Sequence, residues 1–252
     1  MAGRFISFEG IDGSGKSTQA RLLADRLPGD VVLTREPGGA PGAEEIRALL
    51  LTGDPGRWSP ETETALFTAA RRDHLERTIR PALARGATVI SDRFADSTRV
   101  YQGAARGDLR ALVDALHGAL IGVEPDRTLI FDMDPAAALA RSLGRIARDA
   151  PEDAGTAPLP GADGARGRPE TVGAPPRWPA RGEAVPPASA ALRSPEGAGA
   201  AENRFESLGL PFQRRLREGF RALAAEFPAR CRLIDASGTA AEVAARVDAA
   251  LS

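Results

Sequence analysis

Apolar and polar residues follow two rhythms along the chain, short runs with a period of two and longer ones with a period of roughly 3.6. Arg4-Phe5-Ile6-Ser7-Phe8-Glu9 predicts a strand, Gly10 to Gly15 a loop, and Lys16 to Leu27 a helix that offers Leu22, Leu23 and Leu27 for packing. Val31 to Thr34 predicts a second strand. After the turn-forming Pro37-Gly38-Gly39, a helix runs through Ile46 to Leu51. Ser59-Pro60-Glu61 combines an N-cap with proline at the first helical position and opens a long helix to about Arg85, with Gly86 placed to end it. Thr88 to Ser91 is the third strand, Leu109 to Leu120 a helix, Thr128 to Asp132 the fourth strand, and Pro135 to about Arg148 another helix. Arg204 to Phe227 then reads as helix, Cys231 to Asp235 as strand, and Thr239-x-x-Glu242 as a capping box opening the last helix. Strands alternating with helices argue for an α/β fold with a doubly wound parallel sheet covered on both faces.

The rhythm breaks once. Pro151 to Ala200 holds 10 of the 20 prolines and 8 of the 27 glycines with almost no aliphatic periodicity, a composition that buries too little apolar surface to offset the entropy of ordering. Helical patterns flank it, so the expectation is one domain over 1–252 interrupted by a disordered Pro/Gly/Ala-rich insertion at about 149–202. Trp178 near its centre either anchors a partner or packs incidentally. Elsewhere composition mainly excludes: 42% hydrophobic and 27% charged residues with a net charge of -1 rule out wholesale disorder and give no pull on nucleic acid or anionic membrane. No run longer than nine residues lacks a charged side chain, against the roughly 20 apolar residues a membrane helix needs. Met-Ala-Gly-Arg leads into the first strand without an apolar signal core, so cytoplasm is the expected location. A single cysteine, Cys231, excludes an internal disulfide and a cysteine-based metal cluster.

One position stands out chemically. Of 33 basic residues only Lys16 is lysine, so something at that position resists arginine. It sits in Gly10-Ile11-Asp12-Gly13-Ser14-Gly15-Lys16-Ser17, which fits G-x-x-x-x-G-K-[ST] between a predicted strand and a predicted helix; chance matching in such a chain is about 1 in 10³. Glycines let the backbone wrap so that N–H groups aim at phosphate, and the helix adds the positive end of its dipole. Lys16 reaches the β- and γ-phosphates, Ser17 can hold Mg²⁺, and Thr18 completes the nucleotide-binding run. A compact ammonium fits this cradle where a planar guanidinium does not. The motif assigns nucleoside-triphosphate binding and leaves the fate of the γ-phosphate open, because kinases, GTPases and motor ATPases share it.

Further stretches follow in a familiar order: Phe8-Glu9-Gly10, Thr34-Arg35-Glu36-Pro37-Gly38-Gly39, Phe67-x-Ala69-Ala70-Arg71, Asp92-Arg93-Phe94 and Tyr101-Gln102-Gly103. With the phosphate loop they resemble the thymidylate (dTMP) kinase family over residues 4–148 and 203–252. Thr-Arg-Glu-Pro-Gly-Gly is specific to that family, whereas Asp-Arg after a strand is shared among nucleotide kinases. The resemblance implies a P-loop nucleoside monophosphate kinase fold, ATP as phosphate donor with Mg²⁺, dTMP as acceptor giving dTDP for dTTP synthesis, and a homodimer. Leu112, Leu116 and Leu120 at helical spacing suit either such an interface or the core.

Position and resemblance together nominate the acceptor side. Glu36 and Pro37 lie at a strand's carboxyl end, the edge where α/β sheets bind ligands; the resemblance puts Glu36 near the reacting groups and Arg47 on the acceptor phosphate, although Arg47 alone would read as a solvated helix face. Phe67 and Arg71 share a helix face; the family stacks thymine on the former and hydrogen-bonds it with the latter, while spacing alone favours a core phenylalanine beside an unrelated arginine. Asp92 and Arg93 end the third strand, where a carboxylate orders Mg²⁺-bound water and an arginine bridges two phosphates. Asp132 is a second magnesium candidate. By resemblance, Asp12 receives the acceptor 3′-hydroxyl, Tyr101 crowds the 2′ position, Ser97, Thr98 and Gln102 address the base, and Ser237 lies near the adenine. Phe94 departs from the tyrosine or histidine usual there.

Arg141, Arg145 and Arg148 fall on one helix face, as a phosphate clamp or as a solvated stripe. Family members with glycine at the place of Gly13 supply a catalytic arginine from a mobile lid, the bacterial type with lid arginines, which favours the clamp. The catalytic set expected is therefore Lys16, Arg93, Asp12, Arg145 and Arg148, with Arg204 a further clamp candidate. Two alternatives remain: a sister kinase acting on dUMP or UMP, and a P-loop NTPase that hydrolyses without an acceptor and uses the insertion as a partner-binding arm.

Overall fold

A computed structural model describes residues 3–52, 56–105, 107–149 and 208–252. The insertion expected at about 149–202, with Trp178 and Asn203-Arg204-Phe205-Glu206 behind it, lies outside the described residues apart from its first position. Five strands form one parallel sheet: β1 (Arg4–Gly10), β2 (Val31–Arg35), β3 (Thr88–Asp92), β4 (Arg127–Asp132) and β5 (Cys231–Asp235), in the order β2-β3-β1-β4-β5. Along β1 the register runs Phe5 against Val89 and Phe8 against Asp92 on one side, and Phe8 against Leu129 on the other. Every strand thus ends at the same edge, and the order reverses at β1, the kind of switch point at which α/β sheets hold ligands.

Period-two alternation divides the core. Ile6 and Phe8 pack on one face with Leu129, Phe131, Leu216 and Phe220, while Phe5 packs on the other with Val89, Leu75, Ile79 and Phe94. The helices that cover these faces are α1 (Lys16–Arg26), α2 (Pro41–Leu51), α3 (Pro60–His74), α4 (Arg80–Ala84), α5 (Ala95–Thr98), α6 (Arg110–Leu116), α7 (Pro135–Asp149), α8 (Gly209–Glu226) and α9 (Ala240–Leu251). Ser59 caps α3 by accepting from the Thr62 N–H, and Thr239 and Glu242 form the expected capping box on α9.

Two helical expectations change in detail. The run from Pro60 to Arg85 contains a five-residue π-helical segment, Leu75–Ile79, between α3 and α4. Pro81 supplies the reason, since its ring would meet the carbonyl four residues earlier in a regular helix and the wider turn moves that carbonyl away. The Leu109–Leu120 helix likewise ends in π geometry at His117–Ile121, closed by left-handed Gly122. The four-residue α5 and the π-helical Arg99–Ala105 behind it have no counterpart in the sequence pattern, because neither sustains a 3.6-residue period over enough residues to be read.

Candidate active site

β1 is buried over all but its first residue and hands the chain to the phosphate loop. Gly13 and Gly15 take left-handed φ angles of 80° and 89°, and α1 starts directly at Lys16. α7 also packs closely on Gly13: a Cβ there would lie 1.9 Å from the Ala138 carbonyl oxygen. Glycine is therefore required both for the turn and for the helix packed on it. A cleft of about 450 Å³ opens beside the loop, bounded by Lys16, Ser17 and Thr18, by Arg141, Ser142 and Arg148 of α7, and by Ala236, Gly238 and Thr239 after β5. Ser237 turns its N–H and hydroxyl to Asp235, while Arg246 donates to the Asp235 and Ser237 carbonyls, each at 2.7 Å. Ser142 and Gln19, which the sequence did not nominate, belong here too: Gln19 donates to the Ala240 carbonyl at 2.8 Å and ties α1 to the far wall.

The close approach at Gly13 yields a test. Gly13→Ala is expected to lower kcat/KM for ATP by on the order of 10²-fold by displacing α7 and its arginines, and initial rates within about threefold of wild type would contradict the tight packing.

At the inner end of the loop four nominated residues meet. Asp12 Oδ1 accepts from Lys16 Nζ at 3.0 Å and from Arg93 at 2.5 Å, and Oδ2 accepts from the Tyr101 hydroxyl at 3.1 Å. Burial alone would raise the Asp12 pKa, but Arg93 and Lys16 outweigh it and hold this carboxyl well below the usual range. Arg93 is a non-glycine residue in the left-handed region, at φ 72°. Its backbone N–H donates to the Phe8 carbonyl at 2.9 Å, and its guanidinium donates to the Gly10 carbonyl, Ser97 and Tyr101 besides Asp12. Two cations on one carboxylate oxygen make a local excess of positive charge at the phosphate loop.

The acceptor-side residues are brought together around Glu36. Arg71, buried, donates to Glu36 at 2.7 Å, to Thr98 at 2.9 Å and to the Phe94 carbonyl at 3.2 Å. His74, also buried, bridges Glu36 at 3.0 Å and Thr34 at 2.7 Å. Arg47 donates to the Pro37 carbonyl at 2.7 Å, and Phe67 is half-buried one turn before Arg71. Gln102 is buried, and its Nε2 has no hydrogen-bond partner among the described residues. The Ser97 hydroxyl donates to Glu9 and accepts from Arg93.

The two magnesium candidates separate. Asp132 is held by Arg217 at 2.5 and 3.0 Å with Arg221 beyond, so its charge is already compensated. Asp92 keeps one buried carboxylate oxygen with no partner among the described residues, which fits a divalent cation or its water shell. No group of three His, Cys, Asp or Glu residues gathers among the described residues; Mg²⁺ bound through one or two protein groups, phosphates and water does not need one. On α7, Arg141 and Arg148 are exposed at the cleft; the side chain of Arg145 lies outside what the structure describes.

A five-stranded parallel sheet of this order, a phosphate loop after its central strand and a charged cluster on the neighbouring strand end define the class of P-loop nucleoside monophosphate kinases. A family profile described as thymidylate kinase matches residues 8–153. The chain is 53% identical to a thymidylate kinase of Dinoroseobacter shibae, covering 99% of this chain and 97% of the other, and 53% identical to one of Jannaschia sp., covering 92% and 88%. A crystal structure of thymidylate kinase from Ehrlichia chaffeensis superposes with a TM-score of 0.64 at 29% identity, covering both chains fully. The chain belongs to the thymidylate kinase family. Among the described residues no helix is long and apolar enough to cross a membrane.

Proposed function

We propose that this chain transfers the γ-phosphoryl group of ATP to dTMP, giving dTDP, in a single domain whose insertion at about 149–202 interrupts the lid. Family membership supports the acceptor. The observation that carries the mechanism is the sharing of Asp12 by Lys16 and Arg93, which joins the donor loop to the acceptor side through one carboxylate. Both cations then exchange a carboxylate oxygen for phosphate oxygens when substrates bind, and Asp12 turns to the acceptor sugar. Arg93 neutralises repulsion between the two phosphates, Lys16 steadies the β- and γ-phosphates, and the α7 arginines close over the donor and exclude water. Positioning and charge stabilisation supply the catalysis; no covalent intermediate is involved.

Ser17 and Asp92 are the residues that would hold Mg²⁺, which when bound neutralises charge between the β- and γ-phosphates. Tyr101 stacks edge-on against Phe212 and Phe220, a rigid wall suited to excluding a 2′-hydroxyl. Leu112 and Leu120 are exposed and Leu116 half-buried, which supports their use in a homodimer.

Initial rates with ATP and Mg²⁺ against dTMP, dUMP, UMP and CMP test the reading, beside a no-acceptor control. We expect dTMP to dominate, and Arg71→Ala to erode that preference by about tenfold or more as its buried hydrogen bonds are lost. A preference for UMP favours the sister kinase; ADP formed equally without acceptor favours the hydrolase.

A further inference from the structure

Glu9 is a carboxylate one residue short of the carboxyl end of the central strand, fully buried on the face it shares with Phe5 and Ser7. Burying a carboxylate is costly unless its charge and lone pairs are met, yet the phosphate loop and the acceptor side as described make no use of it. Both of its oxygens point toward the loop that carries Arg93. Oε1 accepts from the Phe94 N–H at 2.7 Å, and Oε2 accepts from the Ser97 hydroxyl at 2.5 Å. The Phe94 amide is the peptide immediately after the left-handed Arg93, so the first bond pins the turn that this residue must make. The second continues outward, because the Ser97 oxygen in turn accepts from the Arg93 guanidinium at 2.9 Å.

We infer that Glu9 is a positioning residue for phosphoryl transfer: it pins the turn at Arg93 through the Phe94 N–H and aims the guanidinium through the Ser97 hydroxyl. The inference rests on the proposed kinase reading. A hydrogen-bonded chain from Glu9 through Ser97 to Arg93 polarises each link in the same direction. Glutamine in place of Glu9 would keep the bond to Phe94 but set an amide donor against Ser97, leaving that hydroxyl proton without its acceptor.

Stability separates aim from scaffolding. Burial, helped by Asp96, pushes the Glu9 pKa from 4.5 up to about 8. The groups around it are Arg93, Asp96 and Ser97, and Cys231 across the sheet on β5. A carboxyl raised in the folded state binds its proton more tightly there than in the unfolded chain, so folding stability declines as pH rises from about 4.5 to about 8. Glutamine has no such penalty.

The experiment measures kcat, both KM values and Tm at about pH 9 for wild type, Glu9→Gln, Ser97→Ala and the double variant. Glu9→Gln is expected to lose on the order of 10²-fold in kcat with KM values within about twofold, and its Tm is expected to equal or exceed that of wild type. Both single variants cut the same chain, so the double variant is expected to fall no more than about threefold below the worse of them. A Glu9→Gln kcat within about threefold of wild type, a Tm below wild type, or a double loss equal to the product of the single losses overturns the inference. Wild-type protein without dTMP-dependent turnover overturns the kinase reading instead, and this inference with it.

Discussion

Arg93→Ala is expected to lower kcat by about 10³-fold, the range an arginine acting on a transferring phosphoryl group commands, while ATP affinity stays within about threefold. The residue is built to be immobile. A non-glycine left-handed backbone costs about 1–3 kcal/mol and persists only where surrounding contacts over-determine it. Here the contacts that stay when Asp12 gives way to phosphate are the Phe8 carbonyl on its N–H and the Gly10 carbonyl, Ser97 and Tyr101 on its guanidinium. Burial would lower the Arg93 pKa, but Asp12 and further anions outweigh it, so the charge is permanent. A guanidinium held in this way stabilises developing charge without reorganising during transfer. Arg93→Lys is expected to restore little, since an ammonium cannot reach that fork of partners. Rates at saturating substrates with binding of a fluorescent ATP analogue check this; a kcat within about tenfold of wild type would remove Arg93 from the mechanism.

Lys16→Arg is expected to abolish turnover to a similar degree, about 10³-fold or more, although charge is conserved. Lys16 is almost fully buried at the first residue of α1, with its ammonium 3.0 Å from Asp12 and 3.4 Å from the Ile11 carbonyl. That space admits a compact group with three donors in any direction; a planar fork one heavy atom deeper would meet the loop backbone. A chain with 32 arginines and one lysine has kept lysine where shape matters as well as charge. Comparable kcat/KM for ATP in the arginine variant would show that charge alone suffices there.

Much of this site is legible in sequence because its logic is local. The phosphate loop depends on glycine spacing between a strand and a helix, and the structure has that strand, loop and helix within a residue or two of where the pattern puts them. Caps at Ser59 and Thr239 are equally local. What stays hidden is long-range pairing. Asp132 ends a strand as a metal ligand would, but Arg217 of α8, 85 residues away, compensates it. Phe67 and Arg71 are one turn apart, yet Arg71 turns to Glu36, Phe94 and Thr98, partners from two other segments. Glu9 reads as an ordinary polar position in an alternating strand; the available signal is a carboxylate between Phe8 and Gly10 in a strand that must lie buried at the centre of a parallel sheet. The π-helical stretches stay hidden because their apolar positions do not repeat every 3.6 residues.

The most direct test of the account follows the label from γ-phosphorus-labelled ATP in the presence of Mg²⁺ and dTMP. Label is expected to accumulate in dTDP in step with ADP, and omitting dTMP is expected to stop both. Label recovered as inorganic phosphate, at the same rate with or without dTMP, would contradict it.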